Sequence, residues 1–132
     1  MSSRDKWLIL LLRLWGAVAL LALVPLFMPF LWMAGIREGL DLGPMPEDRV
    51  TEYLARYVCA FYALYGLACL ALASDVDRYR PLVRMFGLAT IAFGIVLFGV
   101  DLAAGMPTSW TWTEGPPTAV AGIVILLLAR EE

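Results

Sequence analysis

The sequence predicts an all-α fold: an integral membrane four-helix bundle of up-down-up-down topology with both termini in the cytoplasm. Three observations predict it. Of the 132 residues 61% are hydrophobic and 17% charged, and mean hydropathy is +0.77; a soluble domain is closer to half apolar and a quarter charged. The surplus collects in four apolar blocks, each near the roughly 20 residues a helix needs to cross a bilayer. Short connections make consecutive helices antiparallel neighbours. Together these exclude a soluble enzyme, a nucleic-acid binder and a disordered chain. The net charge of −2 leaves no basic footprint for DNA or RNA.

Residues 1–132 read as a single domain with spans at about 7–33, 53–73, 82–102 and 115–130. The first begins with Arg4 and Lys6 before an apolar run, as a signal peptide would. Arg13 interrupts that run, however, and hydrophobicity continues well past Ala17-Val18-Ala19, so an uncleaved span is expected. Pro25 and Pro29 should bend its second half. A connection with turn composition follows, Asp41-Leu42-Gly43-Pro44-Met45-Pro46. The second span is aromatic, and a short turn from Ser74 to Pro81 leads into a glycine-rich third. Gly105 to Trp112 connects it to the fourth. Met-Pro occurs at 45–46 and again at 106–107, a trace of two related hairpins.

Orientation follows from Lys and Arg, which accumulate on the cytoplasmic side. Arg4, Lys6, Arg13, Arg78, Arg80, Arg84 and Arg130 fall on one side, and Arg37, Arg49 and Arg56 on the other. Trp32, Trp110, Trp112 and Tyr53 then form an outer aromatic belt, and Trp7, Trp15 and Tyr79 an inner one. Arg13 is expected to snorkel to the interface. Asp75, Asp77, Arg78 and Arg80 read as a solvated turn.

The chain has no histidine, which removes imidazole ligation of haem or metal and histidine acid–base chemistry. Cys59 and Cys69 stand ten positions apart in one apolar block. On one helix that is about 15 Å of rise, beyond the reach of a disulfide, and both read as small buried apolar residues. No Cys-x-x-Cys pair is present to support a thiol oxidoreductase. No cofactor and no catalytic residue are therefore expected.

The remaining charges are hard to place in lipid. Met85 to Val100 is 16 residues and Gly115 to Ala129 is 15, about 23–24 Å of helix each against a hydrocarbon core of about 30 Å. Either the bilayer thins, or Asp101 and Glu114 lie at membrane depth facing protein. Gly87, Ile91, Gly94, Phe98, Asp101 and Gly105 share one face of the third helix, and Glu52, Arg56, Cys59, Ala63, Gly66, Leu70 and Ala73 one face of the second. Small residues let membrane helices approach, so these faces are expected to pack and to bring Arg56 and Asp101 into an ion pair, with Glu52 a second partner one turn away. Such a pair either fixes helix register or belongs to a polar recess that binds a headgroup or relays protons. Glu114, before Gly115-Pro116-Pro117, reads as a helix start with an acid on the positive end of the helix dipole, or as part of that recess. Tyr57, Phe61, Tyr62 and Tyr65 pack the second helix, or wall a flat lipophilic ligand; Tyr65 lies deepest, where its hydroxyl needs a partner.

The order of parts resembles the DoxX-like group of small four-helix bacterial membrane proteins. A proline-bent first span is followed by Glu52-x-x-x-Arg56 opening an aromatic span with Tyr65-Gly66. A basic turn Arg78-Tyr79-Arg80 comes next, then a glycine-rich span ending Asp101-x-x-x-Gly105-x-Pro107. The resemblance covers nearly the whole chain. It implies an accessory role in respiration or sulfur redox chemistry and carries over no catalytic residue.

The expected protein is thus a non-enzymatic, multi-pass protein of a bacterial cytoplasmic membrane, an accessory or structural subunit. Its partners are the lipid bilayer and a larger membrane complex or copies of itself, with no nucleic acid. The alternative is a binding protein for a lipophilic molecule, a lipid or quinone, using Glu52, Arg56, Tyr65, Asp101 and Glu114 in the outer half of the bundle. Ion or solute transport is weaker, since no discontinuous inner helix is evident.

Overall fold

The computed structural model describes residues 2–44 and 48–130. Six helices account for most of them: α1 (Ser3–Leu20), α2 (Leu23–Phe27), α3 (Phe30–Gly39), α4 (Arg49–Ser74), α5 (Val76–Ala104) and α6 (Thr108–Leu128). Among the described residues there is no strand. The α1–α2 stretch, α4, α5 and α6 are each long and apolar enough to cross a membrane. Large apolar side chains such as Leu14, Leu64, Ile95 and Val120 face outward along all four, as helices solvated by lipid require.

The helices pack in pairs, α1 against α4 and α5 against α6, with lighter contact between α1 and α6 and between α4 and α5. Glycine sets both pairings. A Cβ on Gly66 would stand 2.6 Å from the Gly16 carbonyl oxygen, and one on Gly16 would stand 2.8 Å from the Cys69 Cβ. On the other pair, Gly87 and Gly94 meet Gly122 and Gly115, each two glycines seven residues apart. A Cβ on Gly94 would fall 2.5 Å from Ala119 N, and one on Gly122 2.7 Å from the Gly87 carbonyl. Backbones this close gain dispersion contacts along the whole seam, which is the main source of helix association in lipid. Both glycine-bearing faces read from the sequence are used. Their partners differ from expectation, because the α4 face lies on α1 and the α5 face on α6.

One end of the bundle is tied by side chains. Arg4 donates to the Leu127 carbonyl (2.6 Å), Arg84 to the Ala129 carbonyl (3.0 Å), and Arg80 to both Asp5 and Asp77 (2.8 Å each). Leu8, Leu12, Ala73, Val76, Val83, Ile125 and Ala129 form a buried core beneath these links. The start of α1, the α4–α5 junction and the end of α6 therefore meet at this terminal end. Arg80 is half-buried in an interhelical link rather than lying in a solvated turn.

Three boundaries depart from the sequence reading. The first crossing helix ends at Phe27 instead of 33. Pro25 has no N–H, and the Leu21 carbonyl is met by Val24 in a tighter turn (3.1 Å); Met28 and Pro29 are extended, and α3 starts afresh. Asp75 alone separates α4 from α5, accepting from Arg78 N as the first cap of α5. Helix α6 begins at Thr108, so the connection from α5 is only Gly105 to Pro107, with Gly105 at φ 68° closing α5. Trp110, Trp112 and Glu114 are thus helical, and Glu114 does not start a helix. Close packing of Gly115 and Gly122 on α5 overrides the local stop that Pro116 and Pro117 would otherwise impose. Of the two Met-Pro pairs, 45–46 lies outside the described residues.

Candidate functional site

Most polar side chains of the bundle interior lie toward the far end, away from the terminal links, whereas Tyr65, Trp15 and Thr90 lie nearer the middle of their helices. Each has a different fate.

Arg56 is occupied by the broken first helix. Its Nη1 donates to the Leu26 carbonyl (2.6 Å), its Nη2 to the Met28 carbonyl (3.2 Å), and Nε and Nη2 both reach Glu52 Oε1 (3.2 and 3.1 Å). The carbonyls need a donor because the backbone stops being helical there. A guanidinium, with five donors in a rigid fork, can serve them and a carboxylate together. The expected Arg56–Asp101 ion pair is not formed. Arg56 lies on the α4 face turned to α1–α2, whereas Asp101 lies on the α5 face turned to α6. Glu52 is its carboxylate partner.

Tyr65 closes a chain of hydrogen bonds across three helices. Its hydroxyl accepts from Trp15 Nε1 of α1 (3.0 Å) and bonds Thr90 Oγ1 of α5 (2.8 Å). Thr90 is fully buried, and the Tyr65 ring stacks on Phe86 at 4.8 Å between centroids. This is the interior exception along α4. Tyr53, Tyr57 and Phe61 form an outward stripe instead, Tyr53 stacked on Tyr57 and Tyr57 edge-to-face with Phe61.

Asp101 continues the α5 seam by one more seven-residue step: Gly87, Gly94, Asp101. It is 4% exposed, and its Oδ2 has no hydrogen-bond partner among the described residues. Glu114 of α6, half-buried one residue before Gly115, lies within electrostatic reach of it, as does Tyr62 of α4. The Trp110 indole, one turn earlier on α6, interacts with Glu114. Asp101, Glu114 and Tyr62 therefore lie within one electrostatic neighbourhood.

A cavity of about 340 Å³ opens at the same end. Pro25 and Met28 of the broken helix, Met33 and Ile36 of α3, Ala55 of α4 and Trp110 of α6 form most of its wall. Arg37, whose guanidinium turns to the Leu42 carbonyl at 3.4 Å, lines it as well. Among the described residues no three His, Cys, Asp or Glu side chains group as a metal site would require.

Of the five residues singled out from sequence, Glu52 joins Arg56, Asp101 joins Glu114, and Tyr65 stands apart from both. Thr90 and most of the cavity wall were not singled out; in the sequence Trp15 reads as a belt residue, and Tyr62, with Tyr57, Phe61 and Tyr65, as packing or the wall of a lipophilic ligand. Periodicity carried a further signal for Tyr62: Ala55, Cys59 and Tyr62 follow at spacings of four and three, a second stripe on α4. Comparison with family models, with curated proteins and with solved structures finds no match to this chain.

Proposed function

We propose that this chain is a non-enzymatic, multi-pass protein of a bacterial cytoplasmic membrane that serves as a small accessory or structural subunit. The observation that carries this reading is how polar groups are spent. Arg56 serves the break in the first helix, Tyr65 links α1, α4 and α5, and Arg4, Arg80 and Arg84 tie the terminal end. Polar side chains used in this way specify a scaffold. Links between the start of α1, the α4–α5 junction and the end of α6 support an up-down-up-down course with both termini on one side. The excess of Arg and Lys at that end makes it the cytoplasmic side. The resemblance to the DoxX-like group points the same way, toward an accessory role in a respiratory or sulfur-redox assembly.

Gentle extraction followed by native mass spectrometry tests the proposal. The subunit should leave the membrane attached to a larger complex. A free monomer carrying no partner would overturn it.

The cavity favours a second reading, a binding protein for a lipophilic small molecule at the outer end of the bundle. Its volume is at the lower bound of ligand pockets, roughly 300–1,000 Å³, and its wall is mostly apolar. A stoichiometric small molecule retained by the purified protein would select this reading.

A further inference from the structure

Among the described residues, Arg37 is the one charged side chain that lines the otherwise apolar cavity. We propose that this cavity binds a single-chain anionic amphiphile, a carboxylate on one alkyl chain, with its head on Arg37 and its chain along the methionine-bearing wall. This rests on the second reading above and gives it a ligand class.

Arg37 is set for an anion by the turn that ends α3. Asp41 takes the left-handed conformation (φ 62°), its N–H reaches the Glu38 carbonyl (3.1 Å), and the Leu42 N–H reaches the Arg37 carbonyl (3.2 Å). A helix end of this kind usually places glycine where Asp41 stands. The turn brings Leu42 back to line the cavity and sets its carbonyl against Arg37 Nε and Nη2, both at 3.4 Å. Those bonds are long for N–H donors, and they occupy one edge of the guanidinium. The other edge, Nη1 with the second Nη2 hydrogen, meets no acceptor among the described residues, and no carboxylate of theirs stands within ion-pair distance. Arg56, beside Ala55 of the wall, is the contrast, because its donors already serve Glu52 and two carbonyls. Glu38 and Asp41 are exposed and do not line the cavity. Two parallel N–H groups in a planar fork match a carboxylate.

The wall suits one alkyl chain. A volume of about 340 Å³ holds roughly eleven groups of water size, near 30 Å³ each, and a methylene is of similar size. Two acyl chains would not fit. Met28, Met33 and Met106 are unbranched thioethers, which repack around a flexible chain. The wall also draws on helix ends: Ala55 in the second turn of α4, Met106 just past α5 and Trp110 in the first turn of α6. A charged head there keeps contact with water while the chain lies on apolar groups. A neutral lipophile would leave the guanidinium facing it without a counter-charge, and a cation would be repelled.

The test uses the full-length protein in phosphatidylcholine nanodiscs at mildly alkaline pH, titrated with ω-bromoundecanoate and separately with its neutral counterpart ω-bromoundecanol. Bromine quenches a tryptophan that it touches, so binding is read as saturable loss of fluorescence above the linear loss from partition into lipid. Saturable binding of the acid, tighter than the alcohol by about ten-fold or more, is expected. Arg37→Gln, which keeps the backbone bonds of the turn, should weaken the acid by about ten-fold and leave the alcohol within about two-fold. Arg37→Lys should restore part of the loss. Trp110→Phe should remove the saturable signal, and Ala55→Phe, which fills the cavity, should abolish binding of both probes. Equal affinity of the wild-type protein for acid and alcohol overturns the anionic site but leaves a lipophilic cavity. Saturable quenching by neither overturns this inference and the reading beneath it. A saturable signal that survives Trp110→Phe puts the acid elsewhere and overturns the inference. Loss of acid binding when phosphatidylglycerol is added to the nanodisc makes the site one for a bilayer phospholipid, which also overturns it. The wild-type comparison decides even if a variant fails to fold.

Discussion

Gly94 and Gly115 cross so closely that a Cβ on either would stand 2.8 Å from the other's carbonyl oxygen. The backbone, not a flexible side chain, is what it would meet, so the helices must part to accept even a methyl group. Gly94→Ala should therefore lower stability by about 1–3 kcal/mol, the usual cost of overpacking. Gly99→Ala, on the same helix with nothing within 4 Å of the added carbon, should be neutral or slightly stabilising. Thermal melts in detergent, followed by tryptophan fluorescence, separate the two.

Arg56 is expected to matter through the first helix. Arg56→Met keeps the length and removes the donors, leaving the Leu26 and Met28 carbonyls unmet at a cost of about 1–3 kcal/mol each. Hydrogen exchange should rise from residue 21 to 30 and stay unchanged in α5 and α6. Rapid exchange across α5 instead would show that Arg56 holds the third crossing.

Asp101 should behave oppositely. A buried carboxyl group that lacks a partner is costly to keep, so Asp101→Asn should leave stability unchanged or raise it. Because Arg56 and Asp101 share no contact, the double variant Arg56→Met/Asp101→Asn should equal the sum of the single changes within about 0.5 kcal/mol. A larger coupling in a double-mutant cycle would restore the ion pair expected from sequence.

The Tyr65 hydroxyl has two partners, and Tyr65→Phe strands both the Trp15 indole N–H and the Thr90 hydroxyl. A loss of about 1–2 kcal/mol is expected, since interhelical hydrogen bonds in membranes are individually modest. Thr90→Val should reproduce only part of it. A blue shift of Trp15 emission, read in a variant with its other tryptophans replaced by phenylalanine, reports the broken bond directly.

Acid should loosen the start of α4. The Asp48 carboxylate accepts from Thr51 N at 2.6 Å, and this backbone hydrogen bond holds its pKa below the ordinary aspartate value. A group whose pKa is lower in the folded state stabilises above its unfolded pKa, and the contribution fades as pH falls through the folded value. Amides 49–52 should thus exchange faster below about pH 4, relative to the rest of α4. Asp48→Ala should abolish that pH dependence.

The four crossings were legible because lipid demands long uninterrupted apolar helices, and few sequences meet that demand by accident. The close-packing faces were legible too: small residues at spacings of four and three marked Ala63, Gly66 and Ala73 on α4 and Gly87 and Gly94 on α5, all buried. What a face cannot say is which helix covers it. Gly16 is a lone glycine in a leucine-rich run, and Gly115 and Gly122 flank a pair of prolines. Neither pattern advertised itself as the matching surface, so α4 and α5 were set against each other and Arg56 was given Asp101. Besides Glu52, which the sequence did offer, the partners of Arg56 are backbone carbonyls, left free as acceptors because the chain leaves the helix at Met28. Glu114 misled for a related reason. Proline pairs ordinarily open a helix, and here a tertiary seam carried the helix through them.

The break in the first crossing also imposes an order in time. The Leu26 and Met28 carbonyls are met by a guanidinium 30 and 28 residues further along the chain, which leaves the ribosome later. Until then these groups must keep their water, and the Phe27 end of the first helix cannot be buried in hydrocarbon at low cost. The first and second crossings should therefore enter the bilayer together as a hairpin, with Arg56 drawing the unfinished end in behind it.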